Sequence, residues 1–414
     1  MSRSLDRPAL TAAVLAIGDE LLLGDLVNTN AAWLGQQCAA AGVQVVSSAV
    51  VGDDIERIAA AVRRGLQDAQ VVLLTGGLGP TSDDVTRAAV ARVGGVPLER
   101  SAALEDELRV KFAAYGYVMP DSVLVQADVP KGARVLDNPL GSAPGLALQV
   151  GDQLVVAVPG PPHEMKATVA PVLAELAARS GTVVVTRTLH CAGVGESDVA
   201  DRIGRALSIP AGVALAFLAG SGGVVRVRFT GTTVAQLHPL VDAATVALGR
   251  DVFGFDDETL PGVVSSLLRD RRATVGTAES LTGGLLASAL VDLPGSSDVF
   301  RGGLLPYATA LKTSLVGVEP AVLASHGAVS EQTALALARG ARERTGATYG
   351  LGTTGVAGPD AQDGHPAGTV HVAVAGPNGE RVLSRRLPGD RQRVRHLAVT
   401  LTLDLLRRTL TDPG

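Results

Sequence analysis

The amino-acid sequence predicts an α/β protein, with three-layer α/β domains of largely parallel sheets at both ends, joined by a smaller α+β domain. Apolar runs typical of strands alternate with stretches of helical spacing, which indicates parallel βαβ units. Two glycine-rich junctions, at residues 75–84 and 278–284, each lead from an apolar strand into a helix. Because their sequences differ and they lie far apart, they predict two separate sites, both suited to phosphorylated ligands.

Three domains are predicted, at residues 9–171, 172–256 and 257–412. The middle segment contains strand-like runs (GTVVVTRTLHCAG, VVRVRFTG) and helix-like runs (ESDVADRIGRAL, VAQLHPLVDAATVALG), which is typical of a small connecting α+β domain. The last boundary lies within FGFDDETLPG, at residues 253–262, where turn formers and acids precede a fresh helical pattern.

The first junction, TGGLGPTSDD, follows the strand-like run VVLL and precedes a predicted helix over residues 84–93. Backbone N–H groups of its glycines can approach a phosphate, and the positive end of the helix favours negative charge. Asp83 and Asp84 would repel a bare phosphate, whereas Mg²⁺ or a similar ion would bind both the carboxylates and the phosphate oxygens. Alternatively, Ser82 or Asp83 merely caps the helix.

Polar and acidic residues recur where other strands of the first domain are predicted to end. Ligands of open α/β sheets bind at the carboxyl ends of the strands, so we expect these segments to converge. The segments are IGDELLLGDLVNTN (17–30), VVGDD (50–54), NPLGSAPG (138–145) and VPGPPHEM (158–165).

In this order and spacing, the five segments resemble the amino-terminal half of the competence/damage-inducible protein A family, known as CinA. The resemblance implies a domain related to molybdopterin-binding proteins that acts as a metal-dependent pyrophosphatase on ADP-ribose. By motif position, it implies a divalent metal ion, Mg²⁺ or similar, near Glu20, Asp83, Asp84 and Glu164. Substrate contacts are expected at Gly76, Gly77, Gly79, Thr81, Asn28, Asn30 and Asn138.

The second junction, AESLTGG, places Ser280 and Thr282 at a strand-to-helix corner, where a serine is most often a helix cap. Downstream, Tyr307 and Lys312 lie five residues apart across another strand-to-helix transition. Burial would lower the pKa of such a lysine, which could then act as a general base for a serine hydroxyl. The alternative is a surface lysine whose alkyl chain covers apolar groups.

Residues 258–410 resemble the carboxy-terminal CinA domain, a nicotinamide mononucleotide (NMN) amidohydrolase family. The resemblance rests on AESLTGG, the segment around Tyr307 and Lys312, and the segments SHGAVSEQTA (325–334), LGTTGVAGPD (351–360), HPAGTVHVAV (365–374) and PGDRQRVR (388–395). It implies Ser280 as nucleophile, Lys312 as its base and Tyr307 as a hydrogen-bond donor. No cofactor is expected in this domain. Substrate contacts are expected at Thr282, Gly283, Gly284 and Gly355, where glycine N–H groups could stabilise an oxyanion.

Arg391 and Arg395 are the expected phosphate contacts of NMN. They lie four residues apart after the predicted cap Asp390, so both guanidinium groups share one helix face. Two exposed, solvated arginines are the alternative. The segment around Tyr307 and Lys312 departs from the family pattern, because Ala308, Thr309 and Leu311 stand where the family usually has serine, asparagine and glutamate.

Composition narrows the class of protein. No apolar run is long enough to span a bilayer, and no signal-like segment opens the sequence. Only Cys38 and Cys191 occur, so no disulfide framework is expected and a cytoplasmic location is predicted. Aromatic residues at 3% and a net charge of −5 disfavour nucleic-acid binding. Alanine- and leucine-rich helices favour a homodimer.

These observations predict a bifunctional hydrolase. One domain would cleave ADP-ribose to AMP and ribose 5-phosphate, and the other would convert NMN to nicotinic acid mononucleotide and ammonia. One alternative is a pyrophosphatase for NAD-like dinucleotides with a non-catalytic last domain. The other is a nucleotide- or pterin-binding module without turnover.

Overall fold

The computed structural model describes residues 10–114, 116–181, 184–220 and 222–412, and the chain divides between Val185 and Thr186 into two compact units. The strands of the first unit are β1 (Thr11–Ile17), β2 (Gln44–Val51), β3 (Val71–Thr75), β4 (Leu98–Arg100), β5 (Asp128–Pro130), β6 (Arg134–Leu136), β7 (Gly145–Val150) and β8 (Gln153–Val158). Its helices are α1 (Asp19–Leu23), α2 (Thr29–Ala40), α3 (Ile55–Asp68), α4 (Thr86–Gly94), α5 (Ala102–Ala114) and α6 (Pro162–Ser180), with a 3₁₀ helix at Asp121–Ala127.

The main sheet of the first unit has the strand order β2-β1-β3-β8-β7-β6. The pairings from β2 to β8 are parallel, and β7 and β6 extend the sheet with antiparallel pairings. Strands β4 and β5 form a separate antiparallel pair. The register aligns Ala16 with Thr75, and Thr75 with Val158. The carboxyl ends of β1, β3 and β8 therefore meet at one edge.

Alternating strand residues pack into cores on the two faces of this sheet. Val14 and Leu73 lie in one core, with Met165 of α6, and Leu15 and Leu74 lie in the other, with Ile58 of α3. Each such buried side chain contributes about 1.5–3 kcal/mol relative to leaving it in water. Trp33 of α2 packs against the first core, and the Lys166 ammonium lies 5.6 Å from the centre of its ring.

The second unit begins with the predicted middle segment. Its elements are β9 (Val185–Cys191), α7 (Glu196–Ala206), β10 (Ala214–Ala219), β11 (Val225–Gly231), α8 (Val234–Leu248), a 3₁₀ turn at Gly249–Asp251, and β12 (Val252–Phe255). The strands form one sheet in the order β10-β11-β9-β12. The strand-like and helix-like runs of this segment are confirmed.

The remaining elements of this unit form a second α/β sheet with helices. They are α9 (Leu260–Asp270), β13 (Val275–Glu279), α10 (Leu285–Val291), a 3₁₀ turn at Ser296–Asp298, β14 (Phe300–Leu304), α11 (Thr309–Ser314), α12 (Pro320–His326), α13 (Glu331–Thr345), β15 (Tyr349–Gly355), β16 (Thr369–Gly376), β17 (Gly379–Arg386) and α14 (Arg391–Thr411). In the order β14-β13-β15-β16-β17, β13 is parallel to both neighbours, whereas β15, β16 and β17 pair antiparallel. The predicted α/β fold class is confirmed.

An ion-pair network joins the two parts of the second unit. Arg407 of α14 is buried and donates to Asp404 and to the carbonyls of Arg250 and Val252. Arg408 donates to Asp404 at 2.6 Å and to Asp251 at 2.9 Å. Because the charges are paired and also bound to backbone, these contacts fix α14 against β12.

Candidate functional site

The first cavity, of about 690 Å³, lies at the carboxyl edge of the parallel strands in the first unit. All five strand-end segments of this half contribute residues to its lining, and the segment VVGDD contributes Asp53. The expected convergence of strand-end segments is thus observed. The register of β1, β3 and β8 is its cause, because it brings three strand ends to the same level.

The glycines of the first junction are required by its geometry. Gly76 and Gly77 have φ values of 105° and 65°, in the region that favours glycine. A Cβ at Gly76 would collide with the Ile17 carbonyl, and one at Gly77 with the Thr86 hydroxyl. Both glycines, with Gly79, line the cavity. The loop thus gives a ligand close access to its backbone.

Thr81 and Asp84 bind each other. The Asp84 carboxylate accepts hydrogen bonds from the N–H of Thr81 at 2.8 Å and from its hydroxyl at 2.5 Å, and it lies against Gly79. Thr81 itself is exposed and does not line the cavity. Asp84 therefore stabilises the turn of the loop while remaining at the cavity wall.

The acidic side of the cavity includes a residue that sequence reasoning left unassigned. Asp53 accepts a hydrogen bond from the N–H of Asp19 at 2.9 Å, and Asp19 accepts one from the N–H of Asp53 at 3.3 Å. Burial raises the pKa of Asp53, and the carboxylates of Asp19, Glu20 and Asp83 raise it further, against the hydrogen bond from Asp19. Asp53 belongs to the segment VVGDD, but the sequence does not show that the carboxylates of Asp19, Glu20 and Asp83 lie near it.

Glu20, Asp83, Asp84 and Glu164 all line this cavity, yet they do not form a preassembled ligand set. No group of three Asp, Glu, His or Cys side chains among the described residues is arranged to hold a metal ion. Mg²⁺ needs few carboxylates, since water and phosphate oxygens complete its shell. The carboxylates that crowd Asp53 fit such an ion, because a cation would relieve their repulsion.

The three asparagines have different positions. Asn28 caps α2 by accepting from the N–H of Ala31 at 3.0 Å, and it lines the cavity. Asn30 also lines it, donating to the Thr75 hydroxyl at 2.9 Å and the Gly160 carbonyl at 2.7 Å. Its Oδ1 is buried without a partner among the described residues.

Asn138 lies behind the wall of the cavity rather than in it. It is fully buried and donates to the Ala143 carbonyl at 2.9 Å and to Glu164 Oε2 at 2.6 Å. Both contacts are with protein groups, so the structure places Asn138 as a support for Glu164.

The second cavity, of about 310 Å³, contains Ser280 and Lys312. Ser280 follows the last residue of β13, and Lys312 lies on α11 after β14, the parallel neighbour of β13. The Lys312 amine is 3.2 Å from the Ser280 hydroxyl, and the lysine is only 2% exposed. The expected strand-to-helix transition and the burial of Lys312 are both confirmed.

Three oxygen atoms surround the Lys312 amine, those of the Ser280 hydroxyl and two backbone carbonyls. Its Nζ lies 2.9 Å from the Pro306 carbonyl and 3.2 Å from the Tyr307 carbonyl, and both oxygens can only accept. A neutral amine has two N–H donors and one lone pair, so the two carbonyls leave the lone pair for the Ser280 hydroxyl proton. Burial lowers the pKa of Lys312, which favours this form.

Tyr307 and Arg391 form the rim of this cavity. Tyr307 is 57% exposed, and its hydroxyl accepts from Arg391 Nη2 at 2.8 Å. Arg391 Nη1 also donates to the Gly358 carbonyl at 2.9 Å. Asp390 caps α14 as expected, accepting from the N–H of Arg393. The cation of Arg391 is therefore held at the mouth.

Arg395 faces the nucleophile loop instead. Its guanidinium donates to the carbonyls of Leu281 at 3.0 Å and Thr282 at 2.7 Å, and it does not line the cavity. The Thr282 hydroxyl is buried against that of Thr353 at 2.8 Å. Both side chains thus hold the corner that carries Ser280.

The helix end beyond Ser280 is already occupied by a carboxylate of the protein. Glu279, 1% exposed, accepts from the N–H groups of Gly284, Leu286 and Ala287 at 3.0, 3.0 and 2.8 Å. The Gly283 N–H donates to the Ser280 carbonyl at 3.2 Å. The predicted donors Gly283 and Gly284 are thus engaged within the protein, and this junction does not offer them to a phosphate. Gly355 lines the cavity.

Within the described ranges, no helix combines the length and apolarity needed to cross a membrane.

Fold and cavities define an α/β protein with a candidate ligand site in each unit: one cavity at the carboxyl edge of a parallel sheet, and one that contains a buried serine–lysine pair. Family profiles match residues 13–179 as "Probable molybdopterin binding domain", residues 186–254 as "Damage-inducible protein CinA KH domain" and residues 257–410 as "CinA C-terminal domain". The chain belongs to the CinA family. Both family resemblances seen in the sequence are confirmed.

Two relatives match almost the whole chain. A CinA-like protein of Frankia casuarinae is 49% identical over 418 residues, covering 97% of this chain and 96% of its own length. A CinA-like protein of Gemmatimonas aurantiaca is 41% identical over 408 residues, covering 95% of each. The crystal structure of a CinA protein of unknown function from Thermoplasma acidophilum is 36% identical, covers 41% of this chain and 98% of its own, and gives a TM-score of 0.39.

Proposed function

We propose that this CinA protein is a bifunctional hydrolase of pyridine nucleotides. Its last domain converts NMN and water to nicotinic acid mononucleotide and ammonia, and its first domain cleaves ADP-ribose with water to AMP and ribose 5-phosphate. The observation that carries the proposal is the buried Lys312 amine 3.2 Å from the Ser280 hydroxyl, inside a cavity whose rim holds the Arg391 guanidinium. The substrates are small nucleotides, and the protein acts as a homodimer.

In the last domain, the Ser280 hydroxyl attacks the carboxamide carbon while the neutral Lys312 amine takes its proton. The resulting ammonium returns that proton to the amide nitrogen, the C–N bond breaks, and ammonia leaves an acyl ester on Ser280. Water then attacks the ester, Lys312 takes its proton and passes it to the Ser280 oxygen, and the acid product leaves.

Binding and oxyanion stabilisation are assigned to the rim and the loop. Arg391 offers a fixed cation to the NMN phosphate, with Tyr307 holding its position. The Leu281 N–H adjoins the nucleophile in the cavity and has no acceptor among the described residues, so it is our candidate for the oxyanion donor, with Gly355 nearby. This choice follows because Gly283 and Gly284 are engaged elsewhere.

In the first domain, Mg²⁺ or a similar ion would bind near Glu20, Asp53 and Asp83 through few carboxylates, with water and phosphate oxygens completing its shell and with Asp84 and Glu164 at the wall. Bound there, it would neutralise charge on the pyrophosphate and lower the pKa of a bound water. The glycine loop binds phosphate oxygens through its backbone N–H groups. Asn138 donates a hydrogen bond to the Glu164 carboxylate and so fixes its orientation at the cavity wall.

The first test is ammonia release from NMN by the purified chain, beside Ser280→Ala and the control Ser288→Ala on the exposed part of α10. We expect release to be lost in Ser280→Ala and kept in Ser288→Ala. Absence of release from the wild type, with ADP-ribose still cleaved, would refute the amidase and leave the last domain as a non-catalytic one. Comparing ADP-ribose with NAD tests the alternative pyrophosphatase, and binding without products would indicate a binding module.

A further inference from the structure

We propose that Arg87 is the positioning residue that makes the first cavity receptive to a pyrophosphate group. It holds the glycine-rich loop so that consecutive backbone N–H groups face the cavity, and it places a positive charge behind that loop. The inference deepens the proposed function of the first domain and rests on it for the identity of the substrate.

Arg87 lies at the start of α4, directly behind the loop. It is 2% exposed and does not line the cavity. Its Nη2 donates to the Leu78 carbonyl, and its Nη1 donates to the Gly79 carbonyl at 3.3 Å. Its Nε is buried without an acceptor within the described residues. The hydrogen bonds of the guanidinium thus go to two successive carbonyls of the loop.

Thr86 completes the same pattern. Its hydroxyl donates to the Gly76 carbonyl at 2.9 Å, and its N–H donates to the Gly77 carbonyl at 3.1 Å. Thr86 and Arg87 together therefore bind four successive loop carbonyls, at residues 76–79.

The planar trans peptide turns this pattern into a prediction about the N–H groups. In each peptide unit, the N–H points opposite to the C=O. Because the carbonyls of residues 76–78 are turned towards α4, the N–H groups of Gly77, Leu78 and Gly79 point away from α4. These three residues line the cavity, and none of their N–H groups has an acceptor among the described residues. Successive N–H groups of this kind form an anion-binding concavity.

The charge of Arg87 adds to this orientation. Both of its acceptors are carbonyls, so within the described chain a buried cation has no carboxylate in contact. Burial lowers its pKa to about 10, while Asp84 and Asp128 act on it through space, so it stays protonated at neutral pH. A buried, unpaired cation is costly, and an anion bound on the other side of the loop would offset that cost. Without the charge of Arg87, the carboxylates that line the cavity would repel the same anion.

The test is calorimetric titration of the full chain with inorganic pyrophosphate at constant salt. The variants are Arg87→Met, Arg87→Lys and the control Arg92→Met, which removes an exposed arginine of the same helix. We expect Arg87→Met to raise Kd by about tenfold or more. Arg87→Lys keeps the charge but cannot span both carbonyls, so an intermediate Kd is expected. Arg92→Met should bind like the wild type.

Wild-type binding within twofold in Arg87→Met, or equal weakening in Arg92→Met, overturns the role of Arg87. If Arg87→Met does not fold, Arg87→Lys decides: weaker binding supports the orientation of the loop, and unchanged binding overturns it. A wild type that does not bind pyrophosphate overturns it as well. Pyrophosphate binding without cleavage of ADP-ribose would instead refute the proposed function and leave the role of Arg87 supported.

Discussion

Replacing Glu279 by glutamine should strongly destabilise the second unit, although the substitution exchanges only one oxygen for an NH₂ group. Oε2 of Glu279 accepts from Gly284 and Leu286, and Oε1 accepts from Ala287. Glutamine keeps one oxygen, which can serve the first two donors, but its NH₂ group then faces the N–H of Ala287. One charge-assisted bond is lost and a buried donor is left unpaired, which together cost about 2–4 kcal/mol of the free energy of unfolding.

Differential scanning calorimetry of the full chain measures this effect. For a unit of this size, the loss corresponds to a lower thermal midpoint by about 5–10 °C. The matched control is Glu319→Gln, which changes an exposed glutamate that precedes α12 without a capping hydrogen bond. A shift in Glu279→Gln no larger than that of the control would refute the reasoning, because Glu279 would then not stabilise the helix end as described.

Three further results are expected. Lys312→Met should lower ammonia release by about 10²–10⁴-fold. The wild-type rate should rise with pH and reach half of its maximum below pH 10.5, because burial lowers the lysine pKa from that value and the neutral amine is active. A rate that does not change with pH would contradict this. Arg391→Met should raise KM for NMN about tenfold with kcat little changed, and an unaltered KM would exclude phosphate contact. Asp53→Asn should abolish metal-dependent cleavage while raising the thermal midpoint of the first unit at neutral pH. Folding raises the pKa of the Asp53 carboxyl group, so the folded state loses stability as the pH rises through this pKa and the group ionises. Asparagine cannot ionise and avoids this loss. A lower midpoint in Asp53→Asn would contradict the reasoning.

The positions of the sites were predictable because they depend on strand ends. Parallel strands bring their carboxyl ends to one edge, so the segments around Glu20, Gly76 and Glu164 could be placed together from sequence. The Ser280–Lys312 pair was predictable for a similar reason, since both residues follow the adjacent parallel strands β13 and β14.

What the sequence could not show is which way each side chain turns. Arg395 shares a helix face with Arg391, yet its contacts are backbone carbonyls of the Ser280 loop. Arg87 has the pattern of an ordinary helix arginine, and nothing local marks it as buried. Glu279 precedes the nucleophile in sequence, but its acceptor role depends on N–H groups up to eight residues further along the chain. Such roles arise from tertiary contacts and not from residue spacing.

The position of Trp33 has a practical consequence. It is the chain's single tryptophan, it lies on α2 one turn after Asn30 of the first cavity, and its ring is under the Lys166 ammonium. Indole emission from this protein therefore originates in the first unit alone. A fluorescence titration can therefore follow nucleotide binding to the first unit in the intact chain without a label.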